Sequence, residues 1–209
     1  MPKETFTNLN KQKKEKILQV AIDEFAEHSF QLASINRIVE KAGIAKGSFY
    51  QYFEDKKDLY QLVLDRIVEE KLQYITPAMR NPEGLDFYML LKEVYLSAIL
   101  FAAEHPKYAK IGYYMIFDDK SDVYKELLKD NMDKSLQMYE MMIENSKKQG
   151  GVREDMDTKL CAYFAYQMGV NLAKDFYLFL EEQSRGHLEQ LVDNMIDLMK
   201  NGMGKGGNE

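Results

Sequence analysis

The sequence predicts an all-α protein in two parts: an N-terminal helix-turn-helix head of three short helices, joined to a larger helical body. Three observations carry this expectation. Apolar residues recur at three- and four-residue spacing along most of the chain, and strand-like alternation is hardly seen. Proline and glycine cluster between periodic segments, at Pro77, Pro82 and Gly84 and again at Gly150-Gly151. The segments before residue 56 are short and those after it long. With 209 residues and 45% hydrophobic content, the chain can bury a core in each part.

The elements follow in order. Lys13 to Glu27 places Ile17, Leu18, Ala21, Ile22 and Phe25 on one stripe. Ser34 is a candidate N-cap, followed by Ile35, Ile38 and Val39 at helical spacing. Ala42-Gly43-Ile44 breaks the pattern, since glycine adopts turn conformations at little cost. A short helix from Ala45 to Phe53 comes next. Asp55 caps a long one from Lys56 to about Ile75, with Leu59, Leu62, Val63, Ile67 and Val68 inward. After the first Pro/Gly boundary come helices from Leu85 to Glu104 and from Pro106, then Asp122 to Lys148, Thr158 to Glu182 and Gly186 to Lys200. That makes about nine helices. The expected organisation is an arm and DNA-binding head at 1–56, a ligand-binding and dimerisation body at 57–201, and a flexible glycine-rich tail at 202–209.

The formal charge is −6, but it is uneven. Residues 1–60 carry ten Lys and Arg against nine Asp and Glu, so the acidity lies in the body. A near-neutral head with a basic leading arm suits a polyanion partner at that end alone. Cys161 is the single cysteine, so no internal disulfide framework exists and a reducing cytoplasm fits best. The opening MPKETFTNLNKQKKEK has no apolar core of a signal peptide. The most apolar run, Leu160 to Ala173, is too short and too polar to span a bilayer.

The stretch GIAKGSFYQYFEDKKDLY, Gly43 to Tyr60, interleaves four aromatics with lysines. Two short helices around a glycine turn make a helix-turn-helix, whose second helix enters the DNA major groove. Ser34 opens the first helix, with N–H groups suited to a phosphate. Lys46 offers charge and base-edge donors, and Gly47 allows close backbone approach. Ser48, Tyr50, Gln51 and Tyr52 reach phosphates or bases with hydroxyl and amide groups, and Lys56 clamps a further phosphate. Phe49 and Phe53 lack polar atoms and read as pins to the core. Packing in a small helical cluster is the competing reading of the tyrosines.

From Lys16 to about Leu64 the chain resembles the DNA-binding head of the TetR (tetracycline-repressor-like) transcriptional regulators. The resemblance rests on KEKILQVAIDEFAEHSF and SINRIVEKAGIAKGSFYQYFEDKKDLYQLVL. It departs from the family pattern at Ser29, where glycine is frequent, and at Val39, where alanine is usual. The family's DNA contacts map onto Ser34, Lys46, Gly47, Ser48, Tyr50, Gln51, Tyr52 and Lys56. The resemblance further implies a repressor, a homodimer paired through its last two helices, and an inducer bound in the body.

The body's own residues bear on both implications. The helix from Leu160 to Ala173 is apolar almost all round and must be covered on more than one side. Ala162, Ala165 and Gly169 permit close helix approach, and Leu188, Val192 and Met195 lie on the stripe of the final helix. These six are the expected dimer interface, in a four-helix bundle about a two-fold axis. A monomer's buried core helix is the competing reading. Tyr113, Tyr114, Phe117, Tyr139, Met142, Tyr163, Phe164 and Tyr166 are the candidate pocket for a small-molecule inducer, because aromatic and Met side chains line adaptable apolar sites. Ordinary core packing competes for each of them.

Enzyme chemistry finds little support. The three histidines, His28, His105 and His187, lack metal-ligand spacing, and Glu24 with His28 makes two ligands, not a site. No nucleotide-binding glycine motif occurs. Cys161 sits in the most apolar helix, where a thiol behaves as a small hydrophobe. No metal, cofactor or membrane partner is expected. The alternative function is a helical small-molecule carrier or adaptor that does not bind DNA.

Overall fold

The computed structural model describes residues 2–81, 86–118, 122–179 and 185–202. Among these residues there is no strand. The helices are α1 (Glu4–Thr7), α2 (Lys11–Glu27), α3 (Ile35–Ala42), α4 (Lys46–Tyr52), α5 (Lys56–Leu72), α6 (Pro77–Arg80), α7 (Phe87–Glu104), α8 (Pro106–Tyr113), α9 (Asp122–Lys148), α10 (Thr158–Phe179) and α11 (Arg185–Asn201). A single π-helical turn, Tyr114–Asp118, extends α8. Pro82, Gly84 and the tail beyond residue 202 lie outside the described residues.

Local chemistry sets most of the boundaries. Asn10 caps α2, accepting from the Lys13 N–H at 2.8 Å, so the helix starts two residues before the apolar stripe suggests. Ser34 and Asp55 cap α3 and α5 as expected. Pro77 and Pro106 occupy first turns, where a missing N–H costs nothing.

The chain forms two compact units, and they do not meet at residue 56. The first runs through Gln73 and resumes from His105 to Leu128; the second holds Tyr74–Glu104 and the chain from Lys129 onward. The expected 1–56 head is therefore too short. Leu59, Tyr60 and Val63 of α5 are buried in the same core as Ile17, Phe25, Ile38 and Phe49, and Ile111 of α8 joins them. Lys107 pairs with Asp23 at 2.6 Å, fastening α8 to α2. The chain passes from the first unit to the second just after α5, between Gln73 and Tyr74.

In the second unit α7 packs against α6, α10 and α11. Its Phe87, Leu91, Tyr95 and Ile99 meet Ile143, Ala162, Ala165, Leu188 and Val192 in one core. The Tyr95 hydroxyl donates to the Ala165 carbonyl at 2.5 Å. A Cβ on Gly169 would lie 3.0 Å from the Tyr95 ring. The small residues of α10 thus admit α7 of the same chain.

This corrects the expected interface. Ala162, Ala165 and Val192 are fully buried and Leu188 nearly so, inside their own unit. Gly169 faces Tyr95, and Met195 packs half-buried against the same core. Apolar surface that stays exposed lies elsewhere, at Leu160, Tyr163 and Phe164 of α10 and Leu198 of α11.

Candidate nucleic-acid interface

Three devices place α4. The first is the turn. Gly43 takes a left-handed conformation (φ 71°), and the Ile44 and Gly43 N–H groups donate back to Val39 (3.0 Å) and Glu40 (3.1 Å). A non-glycine residue there costs about 1–2 kcal/mol, and the closed turn sets the angle between α3 and α4.

The second device is a buried carboxylate. Glu24 is wholly buried on α2, and its Oε1 accepts from the Ser34 N–H (2.8 Å) and from Arg37 Nε (2.8 Å) and Nη2 (2.6 Å). Arg37 Nη2 also donates to the Leu32 carbonyl at 2.8 Å. The pair bolts α3 to α2. Burial works against the Glu24 charge, but the Arg37 guanidinium and the Ser34 N–H overcome it and hold the carboxyl below the usual carboxylate value. A lowered folded value stabilises the head above the unfolded pKa of about 4.3, and that contribution is lost as pH falls through the lower folded value. Thermal unfolding followed from about pH 6 to about pH 3 should show the head weakening in this window. Glu24→Gln should flatten that part of the profile.

The third device is aromatic. Phe49 and Phe53 are fully buried, with ring centroids 5.3 Å apart. They pin α4 as expected and leave its other side outward. Lys46, Gly47, Tyr50 and Gln51 are exposed, and Ser48 is half-buried beside them. A Cβ on Gly47 would meet nothing within 4 Å, so the fold does not require a glycine there. No side chain caps the N-terminus of α4, where Lys46 stands.

Two expected DNA contacts are revised. Tyr52 is 7% exposed, its ring 6.1 Å from Phe6, so it belongs to the core and not to the reading surface. Its spacing from Phe49 and Phe53 already hinted at this. The Lys56 ammonium donates to the carbonyls of Ala33 (2.8 Å) and Gln31 (3.2 Å) and sits 4.8 Å from the centre of the Phe30 ring. It braces the loop that leads into α3. Ser34, half-buried at the N-terminus of α3, gives its N–H to Glu24 and accepts from the Arg37 N–H with its hydroxyl oxygen.

The leading segment is tied to the rest of the head. Lys13 lies over the Tyr52 ring and Lys14 donates to the Thr7 carbonyl at 3.0 Å. Lys3, Thr5 and Phe6, unremarked in the sequence, touch the far end of α4. The apolar Phe6 and Leu9 were the available signal.

The candidate inducer residues do not share one unit. Tyr113, Tyr114 and Phe117 belong to the first, where Tyr113 and Phe117 pack 5.3 Å apart. Tyr139, Met142, Tyr163, Phe164 and Tyr166 belong to the second. There Tyr139 is core, its hydroxyl pushed up to about 12 by burial, with Met142 and Tyr166 half-buried against the same core. Tyr163 and Phe164 are 45% and 54% exposed. A groove of about 260 Å³ lies on the first unit, lined from α1, α2 and α5, and includes none of the eight.

Outside α4 the chemistry is sparse. Glu24, Glu27 and His28 bring ligand atoms within 4.8 Å of one another. Glu24 is committed to Arg37, and Glu27 pairs with Lys41 at 3.4 Å, so both charges are used in joining α2 to α3. Burial holds the Cys161 thiol above its ordinary value, away from nucleophilic use. No helix among the described residues is long and apolar enough to cross a membrane.

Comparison with known proteins points the same way. Residues 17–63 match the sequence model of the family described as bacterial regulatory proteins, tetR family. The HTH-type transcriptional regulator YvdT of Bacillus subtilis is 27% identical over 204 residues, covering 98% of this chain and 99% of that protein. A TetR family transcriptional regulator from Chloroflexus aurantiacus superposes with a TM-score of 0.76 at 28% identity, covering 97% of this chain and 98% of the other. The regulator FadR of Bacillus subtilis, solved with stearoyl-CoA, shares the fold at a TM-score of 0.72 and 16% identity, covering 91% of this chain and 99% of its own.

Proposed function

We propose that this chain is a transcriptional regulator of the TetR family and works as a homodimeric repressor in the cytoplasm. Its α4 helices read a near-palindromic operator, and a small molecule bound in the helical body releases it. The observation that carries the reading is the two-sided character of α4: Phe49 and Phe53 buried, with Lys46, Gly47, Tyr50 and Gln51 outward. One such helix offers few base contacts. Two heads about 34–36 Å apart engage one face of the duplex together. Their combined affinity rises through effective concentration, without new contacts.

The dimer we propose uses the outer face of α10, at Leu160, Tyr163 and Phe164, with Leu198 of α11 beside it in function. All four are exposed in the single chain. The Tyr163 hydroxyl accepts from Gln167 Nε2 at 2.7 Å, one turn along the same helix. For the effector, Met142 and Tyr166 are the half-buried candidates of the second unit, and Tyr113, Tyr114 and the more exposed Phe117 are those of the first. A ligand with an apolar chain is favoured by their chemistry and by the stearoyl-CoA held in the same fold by FadR. A coupling of about 1–3 kcal/mol between effector and DNA is enough to change operator occupancy several-fold or more.

The test is a salt series on an operator selected from random DNA. Lys46→Ala should weaken binding and make the slope of log affinity against log salt shallower by about 0.9 for each lost phosphate contact. Lys56→Ala should instead lower the melting temperature and weaken binding with the slope unchanged, because its ammonium serves the protein's own carbonyls. Equal slopes for Lys46→Ala and the unaltered chain would remove Lys46 from the phosphate contacts. Absence of salt-dependent binding altogether would leave the carrier reading in its place.

A further inference from the structure

We propose that the segment Lys3–Phe6 is a positioning clamp for the recognition helix, closing the C-terminal end of α4 and thereby fixing where Lys46, Tyr50 and Gln51 point. This rests on the reading of α4 as the DNA-contacting helix. The last carbonyls of any helix lack partners within it. In α4 three consecutive ones are taken by this segment. Lys3 Nζ donates to the Tyr50 carbonyl at 3.1 Å, Thr5 Oγ1 donates to the Gln51 carbonyl, and the Lys3 N–H donates to the Tyr52 carbonyl at 2.8 Å. The donors lie almost fifty positions earlier in the chain, so this is tertiary structure and not a local cap.

Charge and packing act in the same direction. The Lys3 ammonium stands at the negative end of the α4 dipole, where a cation is favourable, and pairs with Glu54 Oε2 at 3.0 Å. Phe6 is buried, with its ring 4.9 Å from Phe53 and 6.1 Å from Tyr52. Phe53 in turn touches Phe49. A helix as short as α4 is not stable in isolation and takes its order from what surrounds it. Gly43 and the phenylalanines fix its start and its inner face; Lys3 and Thr5 fix its end. Fraying of that end would turn Tyr50 and Gln51 first, because they are its last outward residues.

The experiment uses the full chain with Lys3→Ala, Lys3→Gln, Thr5→Val and the Lys3→Ala/Thr5→Val double variant. DNA affinity is measured across salt, and amide hydrogen exchange is measured over residues 46–53. The clamp predicts that the double variant binds roughly tenfold more weakly, about the loss of one hydrogen bond to a charged group. The salt slope stays unchanged, and exchange in α4 is faster even without DNA. Lys3→Gln, whose amide still donates to the Tyr50 carbonyl, should recover most of the affinity. Uncharged Thr5→Val should weaken binding by itself. A slope shallower by about 0.9 in Lys3→Ala, with Lys3→Gln equally weak, would make Lys3 a phosphate contact and overturn the clamp. So would unaltered exchange in α4. Loss of binding in Lys46→Ala but not in the double variant would sink the clamp and leave α4 as the reader; no effect of Lys46→Ala would sink the reading beneath both.

Discussion

Phe164→Glu is expected to convert a dimer into folded monomers. Phe164 is 54% exposed on the outer face of α10, so a carboxylate there meets water in the single chain. In a symmetric interface the same position recurs near the axis on both copies, and a new charge is desolvated or opposed by its twin. The second unit should keep its melting temperature. Operator affinity should fall by roughly 10²–10⁴-fold, since each head then binds without the other's effective concentration. Ala165→Glu, one residue along, should behave oppositely. Ala165 is fully buried against α7, and its carbonyl takes the Tyr95 hydroxyl. A carboxylate forced into that space costs several kcal/mol, so the unit unfolds before any question of pairing arises. Sedimentation velocity with thermal unfolding separates the two. A dimer that survives Phe164→Glu, or a folded monomer from Ala165→Glu, would return the interface to the inner face.

The contrast between those neighbours also shows what the sequence can and cannot reveal. An apolar helix calls for cover on more than one side; in α10 one stripe is buried within its own unit and the other, at Leu160, Tyr163 and Phe164, is exposed. Its two stripes, Ala162–Ala165–Gly169–Leu172 and Leu160–Tyr163–Phe164, are both apolar. Small residues permit close approach but do not say to which helix. Only the position of α7 decides that, and α7 lies some seventy residues away in the chain. Lys56 failed for the same reason, because its acceptors at Gln31 and Ala33 are brought near by folding. The head was more legible. Ser34, Gly43 and Asp55 act through neighbours a few positions off, which a linear reading can see. Tyr52 lay within reach too, since its three- and one-residue spacing from Phe49 and Phe53 puts all three on one face. The boundary at residue 56 mistook a helix start for a domain edge; the inward stripe of α5 through Leu59, Tyr60 and Val63 continues the head's core.

Phe49→Ala tests whether that core and the reading surface are one object. Phe49 is fully buried and contacts Phe53 at 5.3 Å and Tyr50 at 5.2 Å between ring centroids. Truncating a buried Phe costs about 3–5 kcal/mol through lost transfer energy and the cavity left behind. A whole domain has roughly 5–15 kcal/mol to spare, so the head should melt well before the second unit and thermal unfolding should split into two steps. DNA binding should disappear with the first step, along with amide protection in α4. Tyr50→Ala is the matched control. Tyr50 is 46% exposed, so its removal should alter stability by less than about 0.5 kcal/mol while still weakening DNA binding. The diagnostic quantity is the ratio of the two effects: stability dominates at the pin, binding at the reader. If Phe49→Ala instead left the head's melting unchanged and lost only DNA affinity, Phe49 would be in the groove, and the inner and outer faces of α4 assigned here would have to be exchanged.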